Sequence, residues 1–455
     1  MADNITHGLA AALLAQVGFQ QRYGAVATLA LVVGAEIPDL DALWQFAGPV
    51  TAFIHHRGLT HAFVGGSVLA LLAAGLLRWR WRTPSYWHLA GLVYLGVLLH
   101  IGMDYLTSYG TQLFLPFDAG HYSADAVFIV DYCYTAIMLL GLLVVRMLRQ
   151  QWQRRYLLVG LTWLVCGVGL WWTAPHLAQT VADLRSQIQI GWWLLLSAGL
   201  LRTGLWLLQY LRPLWPPLPG AVGLAWLLLG LGMWLSTPRV VPPSLVLFAR
   251  QEASLYIVGG AALLSLLAWL GRRWHVAHTV VAGRWAVATL AAYVGLCLVN
   301  QALARQHMVQ ALGPQMAAVQ RLTALAVPGG GAFRWRVIAE TATEYLSSMV
   351  TLYSSVTPPQ HVPKGRESPL VQASRHYRLV QVFLNFARFP VIESQTQGTE
   401  TRVSYRDLRF SDGRGRSWFD LKVYFNQDGQ VQGIEFLNRL FLPHHPDFAT
   451  QPTVP

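Results

Sequence analysis

Charge is what this 455-residue sequence has least of, with Asp, Glu, Lys and Arg together making up 12% of it, roughly half the share found in ordinary soluble domains. A chain so poor in charge, and 54% hydrophobic, carries more apolar surface than one soluble core can bury, which argues against a wholly soluble protein. The mean hydropathy of +0.39 points the same way. Lysine is nearly missing: Lys364 and Lys422 are the only two, so the net charge of +12 rests on arginine. These arginines sit largely in loops beside apolar runs, which reads as a topology signal and not as nucleic-acid affinity. Cysteine is also scarce. Cys133, Cys166 and Cys297 each fall inside an apolar segment, a spacing that supports neither a disulfide framework nor a thiolate metal site. The opening MADNITHGLAAALLAQ lacks a basic n-region and a cleavage site, so no removed signal peptide is expected and His7 is retained.

What the sequence has is long apolar runs. A spanning helix needs roughly 20 mostly apolar residues, and residues 60–77, 88–106, 126–148, 156–174, 190–211, 219–236, 254–271 and 281–301 come close. Residues 7–18 and 24–37 are shorter, which makes them candidates for re-entrant, interfacial or protein-buried helices. From about residue 302 the long runs stop. Alternation in RWRVIAET, TRVSYRDLRF, FDLKVYF and QVQGIEFLNRLF, broken by SDGRG and NQDGQ, predicts strands and turns. The expected architecture is an all-α polytopic membrane bundle with a soluble C-terminal α+β or β-rich domain. It divides into a metal-binding helical part (1–150), further transmembrane helices (151–301) and a soluble extracytoplasmic domain (302–455). No internal repeat is visible.

Arginine placement assigns the sides, because cytoplasmic loops are enriched in Lys and Arg. Arg78, Arg80 and Arg82 mark one inside loop, and Arg146, Arg149, Arg154 and Arg155 the next. Residues 38–63 hold only Arg57, and residues 107–125 hold no Arg or Lys, so both loops are expected outside. Continued alternation places Arg212 and the Arg272–Arg273 pair inside and delivers the C-terminal domain to the outside. In a bacterial inner membrane that side is the periplasm.

The scarce acids are not scattered. Asp3, Glu36, Asp39, Asp41, Asp104, Asp118, Asp125 and Asp131 are all the carboxylates in the first 131 residues, and with helices running up, down, up and down they fall at one membrane face. His7 opens the first segment and Pro38-Asp39-Leu40-Asp41 closes the second. His56-Arg57-Gly58-Leu59-Thr60-His61 opens the third, and His100 with Asp104 closes the fourth. Each motif has a bland reading alone: a hydrogen-bonded polar pair, an Asx turn, a helix cap. Together they describe a cluster of imidazoles and carboxylates with Arg57 as the nearby cation, for which a divalent metal is the natural compensation. His100 and Asp104, at i and i+4, point from one helix face. Mixed imidazole and carboxylate ligation favours Zn²⁺, with Mn²⁺ or Fe²⁺ next. His121, Asp125 and Asp131 are second-rank candidates. His55, adjacent to His56, cannot easily point the same way and is left out of the ligand set, and His88, His275 and His278, on the inside, are expected to be structural.

At these motifs, together with Asn4-Ile5-Thr6-His7-Gly8 and Thr107-Ser108-Tyr109-Gly110, the sequence resembles the YdjM family of inner-membrane metal-dependent hydrolases over roughly its first 130 residues. That family is in turn similar to the zinc-dependent phospholipase C and single-strand nuclease superfamily. The resemblance implies one or two zinc ions held by His7, Asp39, His56 or His61, His100 and Asp104. It implies a metal-assisted hydrolysis with Asp41 or Asp39 as general base and Arg57 as a clamp for phosphate or carboxylate. A phospholipid or lipid-linked ester at the outer leaflet suits the depth of the motifs. Two alternatives use the same residues differently: a metal-ion or proton-coupled transporter, and a non-enzymatic anchor that presents the C-terminal domain to a partner.

Overall fold

The computed structural model describes residues 4–149 and 279–448, apart from breaks at 83, 353–357, 399, 412–416, 418, 438, 444 and 446–447. The apolar runs between 156 and 271, with Cys166, Arg272, Arg273, His275 and His278, lie outside the described residues. Residues 1–153 and 262–455 group into one compact unit.

The N-terminal part is helical. Helices α1 (Asn4–Ala15), α2 (Phe19–Tyr23) and α3 (Ala25–Glu36) come first. With 12 residues each, α1 and α3 reach about 18 Å, well short of the roughly 30 Å of hydrocarbon. They are buried by their neighbours instead. Ala11, Ala15, Ala27, Ala30 and Leu31 share a core with Leu89, Val93 and Val97 of α6 (Tyr86–Tyr105). Between α3 and α6 two glycines let the backbones touch. A Cβ on Gly34 would lie 2.0 Å from the Val93 carbonyl oxygen, and one on Gly96 would lie 2.2 Å from that of Leu31. Small residues at a helix crossing permit this approach, and here it draws the end of α3 against the His100 turn of α6.

Pro38 stands at the start of a 3-10 helix, Ile37–Ala47, that replaces the α-helical path just after Glu36. Short α4 (Pro49–His55), a one-turn 3-10 helix at Leu59–His61 and α5 (Phe63–Arg80) follow. After α6 the chain makes a long loop, then α7 (Tyr132–Arg149). Helix α8, Thr279–Leu312, carries the apolar run expected at 281–301 and continues past it without a break. Among the described residues three helices, α5, α6 and α8, are long and apolar enough to cross a membrane by length and composition.

The C-terminal domain is rich in β-structure, as the alternation predicted. One antiparallel sheet has the order β1 (Arg321–Ala326), β2 (Arg334–Glu340), β3 (Glu344–Thr351), β4 (Gln360–Pro363), and the second the order β5 (Pro390–Gln397), β6 (Glu400–Asp407), β7 (Asp420–Phe425), β8 (Val431–Phe436), β9 (Arg439–Phe441). Two short helices, α9 (Pro369–Ser374) and α10 (Arg378–Phe386), lie between them in sequence. Each sheet is fastened to the helical part by apolar contact. The last turns of α8, with Ala304, Met308 and Leu312, join Trp335, Val337 and Leu346 of the first sheet in one core. Val50, Phe53 and Ile54 of α4 enter the core formed by α10 and the second sheet. The rings of Phe386, Phe419 and Phe436 lie 5.0–5.3 Å from that of Phe53.

Candidate metal centre

The four motifs meet at one end of the bundle. Helix α6 supplies His100 and Asp104 from its last turns, the one-turn helix supplies His61, the 3-10 helix supplies Asp39 and Asp41, and α1 supplies His7. His61 Nε2 is 3.1 Å from His100 Nε2 and 3.3 Å from Asp104 Oδ2, and His100 Nε2 is 3.5 Å from the same oxygen. Two donors bonded tetrahedrally to zinc at about 2.0–2.1 Å stand roughly 3.3 Å apart, so this triangle has the edge lengths of a zinc site. Asp39 Oδ1 approaches both imidazoles, at 3.4 Å from His61 Nε2 and 3.7 Å from His100 Nε2. His7 stacks on His100 with ring centroids 3.8 Å apart and brings its Nε2 to 3.5 Å from Asp104 Oδ1. Two groups of donors able to hold an ion result, His61–His100–Asp104 and His7–Asp39–His100.

The tautomers fit ligation. His100 Nδ1 lies 2.5 Å from the Ala35 carbonyl oxygen, which can only accept, so Nδ1 carries the proton and Nε2 presents its lone pair to the cluster. His61 Nδ1 faces the Thr60 hydroxyl at 3.0 Å and Asp41 Oδ2 at 3.5 Å, which turns its Nε2 lone pair inward as well. Two such lone pairs at 3.1 Å repel one another unless a proton or a cation lies between them.

Burial sharpens the electrostatics. His7, Asp41, Arg57, His61, His100 and Asp104 are all buried, and Asp39 keeps 13% of its side chain exposed. Asp41 Oδ1 is buried without a hydrogen-bond partner. Among the described residues Arg57 is the one arginine or lysine paired with Asp39, Asp41 or Asp104, so three carboxylates face one guanidinium and two negative charges remain. A divalent ion would balance them. Burial raises the Asp39 carboxyl, but the hydrogen bond from His61 and the charges of His100 and His61 outweigh it and bring it down to about 2. Burial lowers the His61 imidazole against the pull of Asp39 and Asp104. An ionised carboxylate beside a neutral imidazole is the protonation state that metal binding requires.

Some expected roles change. His56 stands apart from both ligand groups. Its side chain is 39% exposed and its Nδ1 is 3.2 Å from Asp41 Oδ2, so Asp41 lies between His56 and His61. Arg57 is turned inward and engaged: Nη2 is 2.7 Å from Asp104 Oδ1, Nη1 donates to Thr107 Oγ1 at 2.9 Å, and its backbone N–H donates to Asp41 Oδ2 at 2.8 Å. As placed, its guanidinium is turned toward Asp104 and Thr107. The second-rank acids also have structural partners. Asp125 takes a two-pronged bond from Arg388 at 2.7 and 2.9 Å, and Asp131 caps α7 through the Tyr134 N–H while accepting from Tyr293 Oη at 2.8 Å. His121 packs edge-on against Phe386. His55 stacks on Trp44, and His88 bonds Ser85.

Tyr109, in the Thr107-Ser108-Tyr109-Gly110 run, also belongs to the site's surroundings. Its ring lies 5.0 Å beneath the Arg57 guanidinium, and burial, opposed by Arg57 and Arg409, pushes its hydroxyl up to about 12. Its position five residues after Asp104 was the available signal. Nothing in the sequence marked Arg409.

Residues 1–176 match the YdjM inner membrane protein family. The YdjM segment thus contains every donor described above, while the C-terminal domain lies beyond it. The uncharacterized protein YfhP of Bacillus subtilis (strain 168) is 27% identical over 89 residues, which is 20% of this chain and 27% of that protein. The shared stretch is therefore about a quarter of that relative's length. No solved structure matches the chain.

Proposed function

We propose that this protein is a membrane-bound, metal-dependent hydrolase that cleaves a phosphoester or other ester of a lipid or lipid-linked substrate at the extracytoplasmic face. The observation that carries the reading is the pair of inward-facing imidazole Nε2 atoms, 3.1 Å apart and 3.3 and 3.5 Å from one carboxylate oxygen. His61, His100 and Asp104 would hold the ion, with Asp39 and His7 alongside. Zinc ranks first for this donor set, ahead of Mn²⁺ and Fe²⁺. When bound, it supplies Lewis-acid activation of water and of the scissile group near neutral pH.

The chain's own groups do the rest. Asp39 is the partly exposed member of the cluster, so substrate approaches on its side. His56, exposed there and backed by Asp41 at 3.2 Å, is the group best placed to take up and return a proton. The general-base role read from the sequence for Asp41 thereby becomes a shared one. Arg57 holds Asp104 in place. Leu40, Leu43, Trp44 and Phe46 on the 3-10 helix that carries Asp39, with Leu59 and Phe117, are exposed apolar side chains that favour an acyl chain or bilayer interface over water.

The side of the membrane follows from arginine. Arg78 and Arg80 end α5, and Arg284 near the start of α8 donates to the Val17 carbonyl, all at the bundle end opposite the metal motifs. Under positive-inside placement this distribution supports an outside position for the motifs and the C-terminal domain.

The test is elemental analysis of the detergent-purified protein combined with phosphodiester, phosphomonoester and carboxylester substrates, using vesicle lipids among them. The expected result is retained zinc or a related ion and hydrolysis that both His100→Ala and Asp104→Ala abolish. Protein without metal, or variants with unchanged metal content, would overturn the site. Ion flux in liposomes without hydrolysis would replace the hydrolase with a transporter.

A further inference from the structure

The C-terminal domain, outside the YdjM match, grips the metal centre at both of its loops. Before His56, α4 places Phe53 among Phe386, Phe419 and Phe436 of that domain. After Asp104, the loop 107–110 is held by Arg409. The Arg409 side chain is 1% exposed and ion-paired with Asp407, which is 0% exposed. Its Nη1 donates to the carbonyls of Ser108 and Tyr109 at 2.9 and 3.3 Å, and its Nη2 to that of Phe386 at 2.7 Å. The guanidinium sits over the rings of Phe386 and Phe410, 4.5 and 4.9 Å from their centroids. Tyr109, anchored this way, lies 4.9 Å from Phe386 on one side and carries Arg57 at 5.0 Å on the other. Arg57 in turn meets Asp104 Oδ1 at 2.7 Å.

Arg57 needs such a frame. Its backbone φ is 57°, in the left-handed region that a non-glycine residue keeps only where its surroundings over-determine it. Here the frame comes from Asp41, Thr107 and Asp104 together with the Tyr109 ring. A domain joined to the bundle for display alone has no reason to spend a buried arginine on two carbonyls four and five residues after a metal donor.

We infer that Arg409 of the C-terminal domain is a positioning residue for the metal centre, acting through Tyr109 and Arg57 on the Asp104 carboxylate. The inference rests on the metal-centre reading above. Groups that orient ligands from behind characteristically change metal affinity by about 10- to 100-fold when altered, and that is the range expected here.

The experiment uses the full-length protein in detergent, stripped of metal and titrated with Co²⁺, whose visible absorption reports ligand geometry. Arg409→Lys and Tyr109→Leu should each weaken Co²⁺ binding by about 10-fold or more and alter the absorption bands, while Tyr109→Phe, which keeps the ring under Arg57, should bind within about 2-fold of wild type. Val337→Ala, a cavity in the separate core shared by α8 and the first sheet, is the stability control and should leave Co²⁺ affinity unchanged. If Arg409→Lys does not fold, the Tyr109→Leu and Tyr109→Phe pair decides the matter. Wild-type binding matched by Arg409→Lys and Tyr109→Leu would overturn the inference alone, as would an equal loss in Val337→Ala. Failure of the wild type to bind Co²⁺ would overturn the metal reading, and the inference with it.

Discussion

Asp104 in the helical part and Asp407 in the C-terminal domain are equally buried, at 1% and 0% exposure, yet they are treated in opposite ways. Asp407 is fully matched. It accepts the backbone N–H groups of Arg388 and Arg409, both at 3.0 Å, and the Arg409 Nε at 2.8 Å. Asp104 has the Arg57 guanidinium 2.7 Å from one oxygen, and the imidazoles of His7, His61 and His100 crowd it at 3.3–3.5 Å. A charge whose acceptors are saturated by its own chain is structural. One ringed by three imidazoles and paired with a single guanidinium would, under the proposed function, serve as a donor to a metal ion. On the proposed reading, the contrast separates the charge that holds the fold from the charge that the fold holds for chemistry.

Removing each member tests the contrast most directly. Asp407→Ala strands the Arg409 charge in a dry interface, and breaking such a pair destabilises by about 3–5 kcal/mol. Chemical denaturation followed through tryptophan fluorescence should show that loss. His100→Ala should lower the stability of the metal-free protein by about 1–2 kcal/mol, within the range of ordinary core substitutions. Its metal affinity should nevertheless fall by about 100-fold or more, the share of one ligand in the roughly 10–16 kcal/mol that a zinc site provides. If the two variants lose stability equally and both keep metal, the distinction between them is wrong.

The next effect concerns how the bundle brings its half of the site together. Gly96→Ala puts a methyl group 2.2 Å from the Leu31 carbonyl oxygen, and overpacking of this kind costs about 1–3 kcal/mol. Since α3 and α6 must separate to admit it, the His100 bond to the Ala35 carbonyl should lengthen. Lower melting temperature together with weaker metal binding is the expected outcome. A melting shift with unchanged metal affinity would show that the close crossing is needed for folding alone.

The sequence made the site's constituents legible for a physical reason. Ionisable groups are so rare in its apolar helical text that the positions of His7, Asp39, His61, His100 and Asp104 stood out, and alternating helix direction sufficed to gather them. The strands of β2, β6, β7 and β8 were legible through period-two alternation. What stayed hidden depends on angles and rotamers. His56 and His61 share one motif, yet the backbone turn at Arg57, with φ 57°, sends only His61 into the cluster. Arg57 looked like an anion clamp because spacing cannot show that its guanidinium folds back on Asp104. Arg409 is one arginine in an alternating strand end, and only tertiary contact reveals that it reaches Ser108 and Tyr109.

The smallest effect is the one pH should produce, and its sign separates the two regions again. Asp39 sits at about 2 and His61 below the usual imidazole value, so across neutral pH these two groups already have the ionisation that a metal requires. For both groups the folded value lies under the unfolded one, about 3.9 for Asp and 6.5 for His. Their contribution to stability is therefore complete above those values and is lost as pH falls: from about 6.5 downward for His61, and between about 3.9 and 2 for Asp39. Metal-free protein should melt at a constant temperature from pH 8 to about 6.5 and at progressively lower temperatures below that, and metal affinity should be flattest in the same upper range. The Asp407–Arg409 pair contains no imidazole, so it predicts no such slope near pH 6. Replacing His61 with glutamine should therefore flatten the melting profile between about pH 6.5 and 5, and a slope that survives this substitution would place its origin outside the metal centre.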